Sequence, residues 1–198
     1  MTEYWEERYK NDGNSGEGSR GLHKEWKWQI LESTISHIDN IVDVGCGDLA
    51  FMERKHIKKY TGLDISETII ERNRVAYPWW KFICTGADVY VPDLHGEVVF
   101  CHDILFHILD DDVYYRILNN LTRYSNKYIS IYTWYNNPIP WYNIKSRIYG
   151  SSKYQKYRLL DNDMSIFNKN GFELINMSKS PVNKYGAMYI FKKNELKR

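Results

Sequence analysis

A chain of 198 residues has room for one domain with its own core, and little room for a dinucleotide-binding domain plus a separate substrate domain. A formal charge of +2 gives no argument by itself for nucleic acid or a membrane surface, and no apolar run approaches membrane-spanning length. The chain opens acidic and aromatic, Glu3-Tyr4-Trp5-Glu6-Glu7, unlike an export signal, and its three cysteines, Cys46, Cys84 and Cys101, lack the regular spacing of a disulfide framework. Reduced thiols and a cytoplasmic location are expected.

Residues 3 to 10 fit a short helix. Asn11 to Gly21 cannot continue it, because four glycines and several Asn, Asp and Ser residues favour a mobile loop. Leu22 to Ile38 is predicted helical, with Leu22, Trp26, Ile30, Leu31, Thr34, Ile35 and Ile38 on one face. Strands are expected at 41–45, 60–64, 79–84, 98–102 and 127–133. Helices are expected at about 48–57, from Ser66 to Ala76, from the Asp110–Asp112 run to Tyr124, and at 160–169. Ser66 is an N-cap candidate, the aspartates suit a positive helix end, and Asn170-Gly171 suits a C-cap. Phe172–Met177 and Ala187–Lys192 close the chain as an antiparallel pair. The expected fold is α/β: a doubly wound, seven-stranded, mostly parallel sheet with a terminal antiparallel hairpin.

The most informative stretch is Ile41-Val42-Asp43-Val44-Gly45-Cys46-Gly47-Asp48, a hydrophobic run ending in a Gly-x-Gly turn. Tyr60-Thr61-Gly62-Leu63-Asp64-Ile65 follows, a second run ending in an acid. A strand feeding such a turn lets the backbone approach a ligand, the following helix would offer free N–H groups, and an acid at the tip of the next strand can accept both ribose hydroxyls. Ala50 takes the place of the third glycine of a dinucleotide fingerprint, and Asp43 puts a carboxylate where a pyrophosphate would be repelled. A cofactor with a cationic amino-acid end suits that carboxylate. Here the segment resembles the class I S-adenosylmethionine-dependent methyltransferases, and the whole layout resembles their Rossmann-like fold. Val42–Gly47 looks like their first motif and Gly62–Ser66 like their second. A tight turn in some other α/β protein is the competing reading.

The resemblance implies S-adenosylmethionine as cofactor, with Asp43, Gly45, Cys46, Gly47, Asp64 and Ile65 around it. Thr85-Gly86-Ala87-Asp88 adds two positions. Asp88 would accept the adenine amine and Ala87 would leave room for the ring; a solvated loop aspartate is the alternative. Val98 to Asp110 resembles the fourth motif of small-molecule methyltransferases, placing His102 beside the cofactor and making Asp103 and His107 the candidate bases. A buried structural histidine is the plainer reading of His107. No metal is expected, since Cys101 and His102 are adjacent in a strand and point to opposite faces.

Tyr4–Tyr9, Asn14–Ser19 and Leu22–Lys27 together resemble the opening of a small bacterial-type subgroup often associated with saccharide biosynthesis. Residues 1–21 are expected to form a lid, with Trp5 and Tyr9 facing a sulfonium, and Arg8 or Lys27 is expected to hold its carboxylate. The alternative is a helix that only packs on the sheet. The 134–160 stretch is expected to shape the acceptor site. Within it, residues 141–160 combine Lys145, Arg147, Lys153, Lys156 and Arg158 with tyrosines 142, 149, 154 and 157 and hold no acid, a pattern open to phosphates or nucleic acid and equally to a solvated loop. The expected activity is methyl transfer to a small molecule, a hydroxyl of a saccharide or related metabolite. An RNA (ribose or cap) or protein methyltransferase is the first alternative, and a non-catalytic binding subunit of the same fold is the second. One domain over 1–198 is expected, without a prediction of oligomeric state.

Overall fold

Short runs rich in Ile, Val and aromatic residues build the sheet of the computed structural model, which describes residues 2–136, 151–152 and 155–195. Five strands are parallel: β1 (Asn40–Val44), β2 (Lys59–Asp64), β3 (Lys81–Cys84), β4 (Gly96–His102) and β5 (Ser125–Trp134). Two-residue strands β6 (Ser151–Ser152) and β7 (Gln155–Lys156) pair only with each other. The last strands, β8 (Phe172–Lys179) and β9 (Gly186–Lys193), are antiparallel, and β9 lies against β5. The seven-stranded order is β3-β2-β1-β4-β5-β9-β8. Its reversal between β1 and β4 opens a crevice at the carboxyl ends of the parallel strands, where ligands bind in open α/β sheets.

Alternation along each central strand feeds two cores. Val42, Val44, Val99, Cys101, Ile129 and Ile131 face α4 (Asp111–Tyr124) and α5 (Met164–Lys169), meeting Ile117, Leu118, Leu121 and Phe167. Ile41, Val98 and Phe100 face the other side, meeting Trp28 and Leu31 of α2 (Gly21–Thr34) and Ile70 of α3 (Glu67–Ala76). Both sheet faces are covered, as βαβ crossovers require. Full burial of a side chain such as Leu121 stabilises by roughly 1.5–3 kcal/mol. Two predicted caps form: Ser66 Oγ accepts from Ile69 N, and the Asp110 carboxylate accepts from Val113 N at 2.9 Å.

Several expectations need correction. No helix spans 48–57; residues 47–54 are a run of turns. Leu49 and Arg54 have φ of 59° and 66°, the left-handed region, which stops a right-handed helix from propagating. Helix α2 ends at Thr34, not Ile38, and its buried face is Lys27, Trp28 and Leu31, while Leu22 is 68% exposed. Strand β3 begins at Lys81, after a turn carrying Trp79 and Trp80. The expected helix over 160–169 is a 3-10 turn, Leu160–Asp163, followed by α5.

The N-terminal segment forms α1 (Thr2–Lys10), a loop and a 3-10 turn at Glu17–Ser19. Its Glu6 caps α3 from outside. The carboxylate accepts from Ser66 Oγ and Thr68 Oγ1, each at 2.6 Å, and these hydroxyls hold its pKa down to about 2. Of the 134–160 stretch, Lys145, Arg147 and Lys153 and tyrosines 142, 149 and 154 lie outside the described residues.

Candidate cofactor chamber

Strands β1, β2, β3 and β4 end on one chamber, and α1 with its following loop roofs it. The lining includes Asp43, Gly45, Cys46 and Gly47 from β1 and its turn, Asp64 and Ile65 after β2, Thr85 and Ala87 after β3, and His102, Asp103, Ile104, His107 and Ile108 at and after β4. Trp5, Tyr9, Ser15 and Ser19 come from the roof. The predicted site residues on this lining are Trp5, Tyr9, Asp43, Gly45, Cys46, Gly47, Asp64, Ile65, Ala87, His102, Asp103 and His107. Asp88 and Lys27 are not on it.

Two glycines are required by what stands over them. Gly45 has φ of 78°, and a Cβ there would lie 2.1 Å from Ile104 Cδ1. A Cβ on Gly47, φ 53°, would lie 2.2 Å from Ser15 Oγ and 3.0 Å from the Tyr9 hydroxyl. The turn is therefore held close to the β4 loop on one side and to the roof on the other. Its amides are not left free as a helix N-terminus would leave them. Gly47 N donates to Asp64 Oδ2 at 2.9 Å, Asp48 N to Ser15 Oγ at 2.9 Å, and Ala50 N to Asp48 Oδ1 at 3.2 Å.

Asp64 closes the opposite wall. Its Oδ1 accepts from Ser66 N at 3.0 Å, so backbone amides fix both oxygens and each keeps a second lone pair for a ligand. Burial raises its pKa. Asp43 is buried beneath the turn and accepts from the Tyr60 hydroxyl at 2.7 Å. Desolvation dominates that hydrogen bond and pushes its pKa up to about 7. A carboxyl so placed favours a cationic ligand group, whose charge would offset the lost solvation.

The β4 end is built around a buried ammonium. Lys27, fully buried, donates to the Asp103 carboxylate and to Gly18 O, the latter at 2.9 Å, with the Tyr132 ring 3.9 Å from its nitrogen. Burial lowers its pKa while Asp103 opposes that shift. Sequence reasoning placed Lys27 on a ligand carboxylate; in the structure it ties Asp103 to the roof. No periodicity signal could have found this, because a lysine on the core face violates the pattern being sought. Asp103 itself has φ of 61° and reaches the lining as one half of this ion pair.

The two chamber histidines differ in setting. His102 stacks on Phe100 with centroids 4.9 Å apart, meets Phe51 edge-on at 5.0 Å, and shares a 2.9 Å hydrogen bond from Nε2 with Ser130 Oγ. Burial and the Lys27 charge both lower its pKa, so the ring is neutral. His107 meets Trp5 edge-on at 5.3 Å and Phe106 at 4.7 Å. Trp5 and Tyr9 stack at 6.0 Å, and the Tyr9 hydroxyl bonds Ser15 Oγ at 3.0 Å. Arg8 is turned to Tyr4 and Asn14 O.

Asp88 lies outside the lining, bonded to Arg116 at 3.0 Å. The described cations of the basic stretch are also engaged: Lys156 and Arg158 both bind Asp111, and Arg158 reaches Ile108 O at 2.6 Å. Tyr157 packs on Trp134.

No family model matches the sequence, and a search of curated proteins finds no match. Solved structures do match. A magnesium protoporphyrin IX methyltransferase from Synechocystis PCC 6803 with bound S-adenosylhomocysteine superposes with a TM-score of 0.69 at 14% identity, covering 98% of each chain. An N-methyltransferase from Bradyrhizobium japonicum WM9, also in complex with S-adenosylhomocysteine, gives 0.65 at 13% identity over 89% of each chain. An S-adenosylmethionine-dependent methyltransferase from Clostridium acetobutylicum gives 0.67 at 11% identity, covering 89% of this chain and 93% of that one. The chain has the class I S-adenosylmethionine-dependent methyltransferase fold.

Proposed function

We propose that the protein transfers a methyl group from S-adenosylmethionine to a small molecule, a hydroxyl of a saccharide or related metabolite. One observation carries this reading. The Asp64 carboxylate, fixed by Gly47 N and Ser66 N at the tip of β2, faces the same chamber as the Gly45-x-Gly47 turn and the buried Asp43. That donor and acceptor set suits a ribose at Asp64 and a cationic amino-acid arm at Asp43. Adenine then falls toward Ile65, Thr85 and Ala87, and the arm toward β4. Arg116 holds Asp88 through Oδ2, and Oδ1 is the oxygen that would meet the adenine amine.

When bound, the cofactor supplies an electrophilic methyl on a sulfonium. The chain's work is to align an acceptor oxygen with it and keep water away. Trp5, Ile104 and Ile108 give the His107 side of the chamber its dry walls. His107 takes the hydroxyl proton as the methyl transfers, whereas Asp103, already holding Lys27, is the poorer base. Lys156 and Arg158 are engaged with Asp111 and lend little support to a nucleic-acid substrate. Residues 1–21 serve as lid and 134–160 as acceptor region of a single domain.

Labelled methyl transfer onto cell-extract fractions split into protein, nucleic acid and small molecules tests the reading. Label is expected in the small-molecule fraction; label confined to a polymer fraction overturns the substrate class, and no label in any fraction overturns the activity. With the acceptor in hand, His107→Ala should lower turnover about 10²–10⁴-fold with cofactor affinity nearly unchanged. The wild-type rate should fall at acid pH, because an imidazolium accepts no proton. An unchanged rate in His107→Ala removes it as the base.

A further inference from the structure

His102 lines the chamber. Among the described residues, its Nδ1 atom is buried without a hydrogen-bond partner. Its other nitrogen meets Ser130 Oγ, and Ser130 is fully buried on β5. Among the described residues, His102 is the partner that Ser130's side chain has. A buried hydroxyl must place its proton on an acceptor. If Nε2 carried the ring proton, Ser130 could only accept, and its own O–H would be stranded. The consistent arrangement has Ser130 donating to Nε2, which puts the imidazole proton on Nδ1. The neutral ring, with Lys27 nearby, Phe100 stacked on it and Phe51 edge-on, carries one proton only. A donor is therefore left unmatched on a residue that lines the chamber.

An unmatched donor calls for an acceptor. The amino-acid arm of S-adenosylmethionine ends in an ammonium, which only donates, and a carboxylate, which only accepts. Asp43 suits the ammonium. For the carboxylate, the described lining holds no lysine or arginine. Lys27 is spent on Asp103 and Gly18, and Arg20 on Asp48. We propose that His102 donates Nδ1–H to the cofactor carboxylate, and that Ser130 is the positioning residue that fixes the required tautomer. The inference rests on the cofactor reading above and adds to it a neutral donor for the carboxylate. It also divides the two histidines: His102 serves the polar amino-acid end, and His107, among Trp5, Phe106 and Ile108, serves the dry methyl end.

The test is calorimetric and needs no acceptor. S-adenosylhomocysteine carries the amino-acid arm; 5′-methylthioadenosine carries the adenosine and sulfur without it. His102→Phe keeps the ring stack and removes the donor. It should weaken S-adenosylhomocysteine about 10–100-fold, the loss expected for a hydrogen bond to a charged group, and leave 5′-methylthioadenosine unchanged. Retained binding of the truncated ligand also shows that the variant is folded. Ser130→Ala should weaken S-adenosylhomocysteine about three- to tenfold, again with no effect on the truncated ligand, and Ser130→Thr, which keeps the hydroxyl, should restore it. Equal losses for both ligands, or no loss for either, overturn the assignment. Wild-type protein that binds neither ligand overturns the cofactor reading itself, whereas wild-type protein that binds both equally overturns the carboxylate contact alone.

Discussion

Asp64 both shapes the turn and lines the chamber. Gly47 N and Ser66 N hold its oxygens at the strand tip, where the proposed ribose would meet them. Asp64→Ala should weaken S-adenosylhomocysteine by roughly 1–3 kcal/mol, since two ligand hydroxyls lose their acceptor. Unchanged affinity by calorimetry would remove Asp64 from the site. Asp43 supplies a pH signature. Its pKa of about 7 belongs to a buried acid that stays protonated below neutrality. A ligand ammonium beside it favours the ionised form, so below neutrality binding expels a proton, and affinity rises as pH climbs toward about 7 and levels off above it. Asp43→Asn should flatten that rise; a wild-type profile flat across this range would contradict an amine at Asp43. Both aspartates were legible in the sequence, Asp43 as an acid inside the hydrophobic run before the Gly-x-Gly turn and Asp64 at the end of the next run. Ser130 was not, because a serine inside a strand carries no motif and its role depends on a ring 28 positions away.

At the scale of elements, several contacts fasten the roof. Glu6 holds α1 to the start of α3, Ser15 and Arg20 hold the loop to Asp48, and Lys27 holds Gly18. The cofactor would lie beneath these contacts, so amide exchange over residues 2–20 should slow with saturating S-adenosylhomocysteine. Glu6→Ala should speed exchange there in the free protein while the central strands stay protected. Exchange indifferent to ligand would argue that the segment merely packs on the sheet. Caps and parallel strands were readable because single residues encode them: Ser66, Asp110, the Ile and Val runs. The segment after Gly47 was not. Apolar residues Leu49, Phe51 and Met52 fit a helix by spacing, yet Leu49 turns left-handed and Asp48 is drawn to Ser15 and Arg20 of the roof. That is a long-range contact overriding local propensity. On α2 and its C-cap the expected Leu31 and Ile35 are buried and Trp26 and Ile30 pack partly buried beside them, but Lys27 was missed: it is buried because Asp103, 76 residues on, meets its charge.

For the whole molecule, the strand order brings four strand ends and the roof to one chamber with one polar end and one dry end. A dinucleotide would place a pyrophosphate against Asp43, where a second negative charge is unfavourable; a sulfonium amino acid places a cation there. No described helix is long and apolar enough to cross a membrane. The most direct measurement is a calorimetric titration of the intact protein with S-adenosylmethionine and, in parallel, with NAD. Saturable one-to-one binding of S-adenosylmethionine with no heat from NAD is the expected result. Binding of NAD, or no binding of S-adenosylmethionine, would contradict the assignment of the chamber.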